Sequence, residues 1–343
     1  MKKVLILGGG GFIGINIARR LMDEGGYDIT LADSGYKGRL EDYFPSPKER
    51  NSLRVIEDDF SRPSAYAQLS EGYDQIYMMA AVVGVNNTLR EPEEVIRVNT
   101  ALVHYTLEWL RTHHCGRLLF ASSSENYAGT TDAFNYPVPT DEKVPLCVQD
   151  IRHPRFTYAV TKILGESAYL NSAKKLGFEC TVVRYQNIFG PNMGFKHVIP
   201  HLVQRFLVTD PNSSFKIYGP DQTRAFCFVS DAVDGTIKAM NNPVANGEIY
   251  HVGNTEEISM ETLTRSVGEF IGYTGQYEYA ETYPGSVQRR CPDITKCREY
   301  LGFEPKVYWK DGLKQTIDWY MEFFNNGKKP GDYGFEPPET FKA

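Results

Sequence analysis

Tyr158-Ala-Val-Thr-Lys162 places a phenol and an ammonium four residues apart, on one face of any helix that spans them. An ammonium held near a phenol favours the phenolate by charge. A phenolate can take the proton from an alcohol whose carbon is being oxidised. The spacing alone is common in a chain with 22 tyrosines, so its neighbours must give it weight. Upstream, Ala121-Ser122-Ser123-Ser124-Glu125-Asn126-Tyr127 ends a β-rich run with three hydroxyls and a carboxylate. That is a poor core strand and a good polar edge for a site. A cluster of turn-forming serines is the bland reading of the same residues.

Near the N-terminus, Gly8-Gly9-Gly10-Gly11-Phe12-Ile13-Gly14 follows an apolar run and opens a helical pattern. Gly8, Gly11 and Gly14 fit one glycine fingerprint, and Gly9, Gly11 and Gly14 fit another. Both answer the same needs: a tight turn, a backbone close to a pyrophosphate, and a helix packed tightly on a strand. Asp33 ends the next strand, 19 residues after Gly14. A carboxylate there accepts hydrogen bonds from adenosine ribose hydroxyls and repels a 2′-phosphate. NAD is therefore expected over NADP, with Arg39 nearby as the group that would serve NADP.

These groups need a scaffold. Residues 4–7, 29–32, 53–56, 75–79, 117–121 and 180–184 read as short apolar strands, and 13–24, 93–112 and 158–175 as helices. That alternation predicts an α/β fold, a Rossmann-type doubly wound parallel sheet. After about Gly190 the rhythm loosens, and Pro, Gly, Tyr and Arg cluster in residues 218–224 and 283–293. Residues 1–185 are read as the NAD-binding domain, with later segments returning to it. Residues 186–343 are read as mainly a smaller substrate-binding region, with the site in the crevice between the two.

Composition narrows the partners. A net charge of −6 argues against nucleic acid or an anionic membrane, though not against a phosphorylated small molecule met by local arginines. The N-terminal apolar run stops at the glycines, too short for a secretory segment, so a cytoplasmic protein is expected. The six cysteines show no paired spacing and read as reduced thiols. His197 and His201 have a spacing that helical zinc ligands use, but Pro200 lies between them and no acidic partner motif follows. No metal is expected.

In sum of their order, these blocks resemble the extended short-chain dehydrogenases/reductases that act on nucleotide sugars as epimerases, dehydratases and decarboxylases. The likeness also includes Asp59-Phe60, Ala80-Ala81-Val82-Val83-Gly84, Val98-Asn99-Thr100, Arg184-Tyr-Gln-Asn187-Ile-Phe-Gly190-Pro191, Gln222-Thr-Arg224 through Asp231, and Arg289-Arg290-Cys-Pro-Asp293. The resemblance implies NAD contacts from Gly8, Gly11, Phe12, Ile13, Gly14, Asp33, Asp59, Phe60, Ala80, Ala81, Asn99, Tyr158 and Lys162. It implies a nucleotide-diphosphate sugar as substrate, near Val83 and Arg155, its diphosphate held by Asn187, Arg224 and one of Arg289 or Arg290.

Such enzymes oxidise the sugar at C4, here with Ser123, Ser124, Glu125, Tyr158 and Lys162 as the catalytic set. Ser123-Ser124-Glu125 is most similar to the Thr-Ser-Glu of UDP-glucuronate decarboxylases, which also commonly carry an arginine where Arg155 stands. Asn126 and Ala128 depart from the usual Val and Gly. Decarboxylation of a UDP-hexuronate is the expected reaction. The 4-epimerases and 4,6-dehydratases are the alternatives, and a catalytically silent NAD-binding regulator is the remote one. A homodimer is expected through residues 93–112 and 158–175, whose Val95, Val98, Leu102, Ile163 and Leu164 recur at helical spacing.

Overall fold

A computed structural model describes residues 1–328 apart from 36–38, 196, 211–212 and 283–286, and leaves aside the side chains of Val85, Asn86 and Asp132. Part of the second Pro/Gly/Tyr/Arg cluster, residues 283–286, thus lies outside the described residues.

Strands β1 (Lys2–Leu7), β2 (Tyr27–Asp33), β3 (Arg54–Glu57), β4 (Gly72–Met78), β5 (His114–Ser123) and β6 (Glu179–Tyr185) alternate with helices α1 (Phe12–Glu24), α2 (Pro92–Leu110) and α3 (Thr157–Leu176). With β7 (Ile249–Val252) they form one parallel sheet in the order β7-β6-β5-β4-β1-β2-β3. The order reverses between β1 and β4, which opens a crevice above their carboxyl ends. The glycine loop after Leu7, the Met79–Ala81 stretch after β4 and the serines ending β5 all emerge at that edge.

Because both faces of the sheet are covered, the central strand β1 is apolar from Val4 to Leu7 rather than alternating. Val4, Leu5 and Ile6 are all fully buried. Val4 and Ile6 belong to one core cluster, and Leu5 and Leu7 to a second cluster on the opposite face. The chain returns to the first core after Tyr185: β7 pairs with β6, and α4 (Val229–Asn241) packs against α1. Phe215–Tyr218 pairs with Tyr277–Ala280, and Thr223–Ala225 pairs with both Arg289–Arg290 and Glu257–Ser259. No helix among the described residues is long and apolar enough to cross a membrane. Among them, no group of three or more His, Cys, Asp or Glu side chains could hold a metal ion.

Candidate active site

The cofactor end of the crevice is built by backbone. Gly11 caps α1 with no side-chain hydrogen bond and no acid in the first turn, so the first-turn N–H groups of Phe12, Ile13 and Gly14 face outward as an anion site. A Cβ on Gly14 would stand 2.2 Å from the Gly8 carbonyl oxygen, so only glycine lets the helix start against the strand end. A Cβ on Gly11 would meet nothing but that same oxygen, at 3.1 Å, which leaves its outer face open to a pyrophosphate. Asp33 accepts hydrogen bonds from Gly10 N at 3.0 Å and Gly35 N at 3.1 Å, which brace its carboxylate at the end of β2.

Arg39, the group that would have served NADP, is turned inward. Its Nη1 donates to the Gly10 carbonyl at 3.1 Å and its Nη2 to that of Asn192 at 3.2 Å. It is buried, and burial pulls its pKa down. The residues fit NAD.

Two of the expected cofactor residues are also packed into the interior. The Phe60 ring lies buried edge-on to Tyr66 at 5.3 Å, which leaves its backbone rather than its ring for a ligand. Asn99 is also buried. It accepts from Val82 N at 2.8 Å and donates to the Val82 carbonyl and to Thr161 Oγ1, so it braces the end of β4 against α3. Asp59 turns its carboxylate to Ser61 N at 2.9 Å and to Arg62 at 3.2 Å. Ala80 and Ala81 remain half-buried along the crevice.

At the catalytic end, α3 presents Tyr158 and Lys162 as their spacing predicts. Lys162 Nζ donates to the Ala121 carbonyl at 2.7 Å and lies 5.7 Å from the centre of the Tyr158 ring. Burial pulls the lysine down to about 7, against the opposing charge of Glu166. The phenol is not lowered as the sequence suggests. Burial and then the charge of Glu125 push it up, and the hydrogen bond with Ser123 offsets only part of that. Ser123 Oγ also accepts from Glu125 N at 3.2 Å, which starts the turn Ser124–Tyr127 in which Ser124 is buried. NAD, when bound, would supply a hydride acceptor and a positive ring that favours the phenolate.

Glu125 lies within a set of arginines. Arg290 Nη1 donates to its Oε1 at 2.5 Å, and Arg155 Nη2 lies 3.9 Å from Oε2. Burial alone would raise this carboxyl, but Arg290, Arg155 and Arg224 together hold it below the ordinary carboxylate range. Of the two candidate arginines, Arg290 faces the site. Arg289 points away, pairing with Glu257 at 2.6 Å and donating to the Val138 carbonyl at 3.1 Å. Arg224 donates to the carbonyls of Thr223 and Val287. Asn187, at φ 42°, donates to the Ala225 carbonyl at 2.9 Å. Val83 is exposed beyond the end of β4.

Sequence reasoning missed the layer beneath. Arg184 donates to Glu166 Oε1 at 2.8 Å and to Oε2 at 2.7 Å in a buried ion pair. Breaking one side of such a pair costs about 3–5 kcal/mol. A signal was present: Glu166 follows Lys162 by four, so it shares the buried face of α3, where a carboxylate needs a partner.

A glycine loop at the switch point, an acid at the end of β2 and a Tyr/Lys helix beside a serine-rich strand end are the marks of an NAD-dependent enzyme of sugar-type alcohols. The chain belongs to the NAD dependent epimerase/dehydratase family, whose model matches residues 4–253. It is 31% identical to a UDP-N-acetyl-alpha-D-glucosaminuronate decarboxylase of Bacillus cytotoxicus, over 95% of this chain and 99% of that one. It is 30% identical to UDP-glucuronic acid decarboxylase 1 of Xenopus tropicalis, over 94% of this chain and 72% of that one. The fold is shared with a UDP-glucuronic acid 4-epimerase of Bacillus cereus solved with UDP-glucuronic acid and NAD. That match has a TM-score of 0.79 at 20% identity and covers 94% and 99% of the two chains.

Proposed function

We propose that this chain decarboxylates a nucleotide-diphosphate hexuronate, with UDP as the nucleotide. The observation that carries the reading is the convergence of Arg290, Arg155 and Arg224 on Glu125, beside Tyr158. Guanidiniums gathered beside the Tyr/Lys pair match the planar oxygens of a C6 carboxylate and of a diphosphate. The named activities of the relatives from Bacillus cytotoxicus and Xenopus tropicalis support the same reading.

Tyr158 takes the proton from the C4 hydroxyl as that carbon is oxidised, with Ser123 hydrogen-bonding the same oxygen and Lys162 holding the ribose side. The resulting 4-ketone stands β to the C6 carboxylate. The C5–C6 bond breaks, CO2 leaves, and its electron pair is taken up by the C4 carbonyl as an enolate. Glu125, with Ser124 and Arg290 around it, governs proton return to C5 before C4 is reduced again. Asn187 and Arg224 hold the diphosphate, and the region after residue 185 outside the returning segments forms the rest of the pocket.

Incubation with a panel of nucleotide sugars and mass spectrometry of the products tests this. Loss of CO2 from a hexuronate is the expected result. Unchanged mass with a new NMR spectrum would make it a 4-epimerase, and loss of water a dehydratase. No turnover of any sugar by NAD-loaded protein would leave the silent regulator.

The protein acts as a homodimer through α2 and α3. Val95 and Leu102 serve the monomer's own core, Val98 is half-buried against it, and Ile163 is half-buried. Ile96, Val160 and Leu164 remain exposed on the same two helices and are available to a second copy. Leu164→Glu should halve the mass seen by light scattering, and a wild-type protein that is already monomeric at micromolar concentration would refute the dimer.

A further inference from the structure

We propose that Asn126 is a positioning residue, which ties the turn carrying Ser124 and Glu125 to the buried Glu166–Arg184 pair and so sets the reach of Glu125 relative to Tyr158 and Lys162. This rests on the reading of Glu125 as the group that acts after oxidation.

Asn126 is fully buried in the middle of the Ser124–Tyr127 turn. Its Nδ2 donates to Ser122 Oγ at 2.9 Å and to Glu166 Oε1 at 2.8 Å. Ser122 Oγ donates to the same Glu166 oxygen at 2.5 Å. Arg184 stands opposite Ser122 in the register of β5 and β6 and grips both oxygens of Glu166. Three elements therefore meet at one carboxylate: the end of β5 with its turn, helix α3 and strand β6. On α3, Glu166 lies one turn beyond Lys162 and two turns beyond Tyr158. A shift of the Asn126 anchor moves Glu125, the next residue, while Tyr158 and Lys162 stay fixed on their helix.

Stability alone does not account for an amide here. Asn126 Oδ1 is buried without a hydrogen-bond partner among the described residues. An unpaired buried acceptor is a penalty that an apolar side chain of similar volume would avoid. Valine is what the family resemblance of the motif implies at this place. The amide leaves one buried acceptor unpaired, while its donors tie the turn to Ser122 on β5 and Glu166 on α3.

Asn126→Val in the NAD-loaded enzyme tests the proposal. Three rates are followed: appearance of reduced cofactor by absorbance, appearance of trapped 4-keto sugar, and release of CO2. NAD affinity by calorimetry and the thermal midpoint are read alongside. Expected are near wild-type oxidation, KM and NAD affinity, and about a tenfold loss in the second step, below the roughly hundredfold that a 1 Å misplacement can cost. Keto sugar and reduced cofactor then accumulate.

Ser122→Ala removes the neighbouring anchor and should give the same split in a smaller measure. A variant that keeps wild-type turnover overturns the proposal, as does one that loses oxidation and the second step in equal proportion. If both variants fail to fold, the amide is a folding requirement and the proposal also falls. Wild-type protein that converts its substrate without releasing CO2 would refute the decarboxylase reading alone. The split would then be read between keto sugar and epimer.

Discussion

Tyr158→Phe should lower kcat by roughly 10²–10⁴-fold, the usual scale for a positioned acid or base, while NAD still binds. In the proposed reaction the phenol takes the C4 proton. Ser123 hydrogen-bonds it, and Lys162 lies beside its ring and donates to the Ala121 carbonyl. Removing one oxygen changes no packing on α3, so folding and cofactor affinity should hold. Pre-steady-state absorbance of reduced cofactor and calorimetric NAD titration check the two halves. Wild-type oxidation in the variant would displace Tyr158 from the role, and the neighbouring Ser123 would become the first group to test.

Glu125→Gln should separate the two steps of the reaction. The amide keeps an oxygen for Arg290 but removes the negative charge that Arg290, Arg155 and Arg224 surround. That same charge pushes the Tyr158 phenol upward. Its removal makes the phenol easier to ionise, so oxidation should run at the wild-type rate or faster. The later step loses its acid/base group and should slow by about 10²-fold or more. Keto sugar and reduced cofactor should therefore accumulate in the variant and be absent from the wild type. Wild-type turnover of Glu125→Gln would reduce Glu125 to a strand-end acid and shift the reading towards a plain 4-epimerase.

The two variants also differ in what they do to substrate binding. Tyr158→Phe leaves the charge of the pocket unchanged. Glu125→Gln leaves three guanidiniums around one neutral amide, which favours an anionic sugar. KM for a hexuronate should therefore fall in Glu125→Gln and stay level in Tyr158→Phe. That contrast separates a charge effect from a general loss of the site.

The amino-acid sequence by itself determined what is local along the chain. The glycine loop, the first turn of α1 and Asp33 lie within two strands and one helix. Tyr158 and Lys162 share a helix face by the 3.6-residue period alone. The strand–helix alternation is read from the same short-range periodicity, and the sheet follows from it.

What joins distant segments was decided by the tertiary structure. Arg290 meets Glu125 across 165 positions, and no spacing rule connects them. The choice between Arg289 and Arg290 depends on the two-residue period of a short strand, whose side chains point to opposite faces. Its pairing with Thr223–Ala225 turns Arg290 to the site and Arg289 to Glu257. The burial of Asn99 and Phe60 was likewise set by which elements pack above them. Asn126 belongs with these. Its place in the turn is local, but Ser122, Glu166 and Arg184 reach it only once β5, α3 and β6 are assembled.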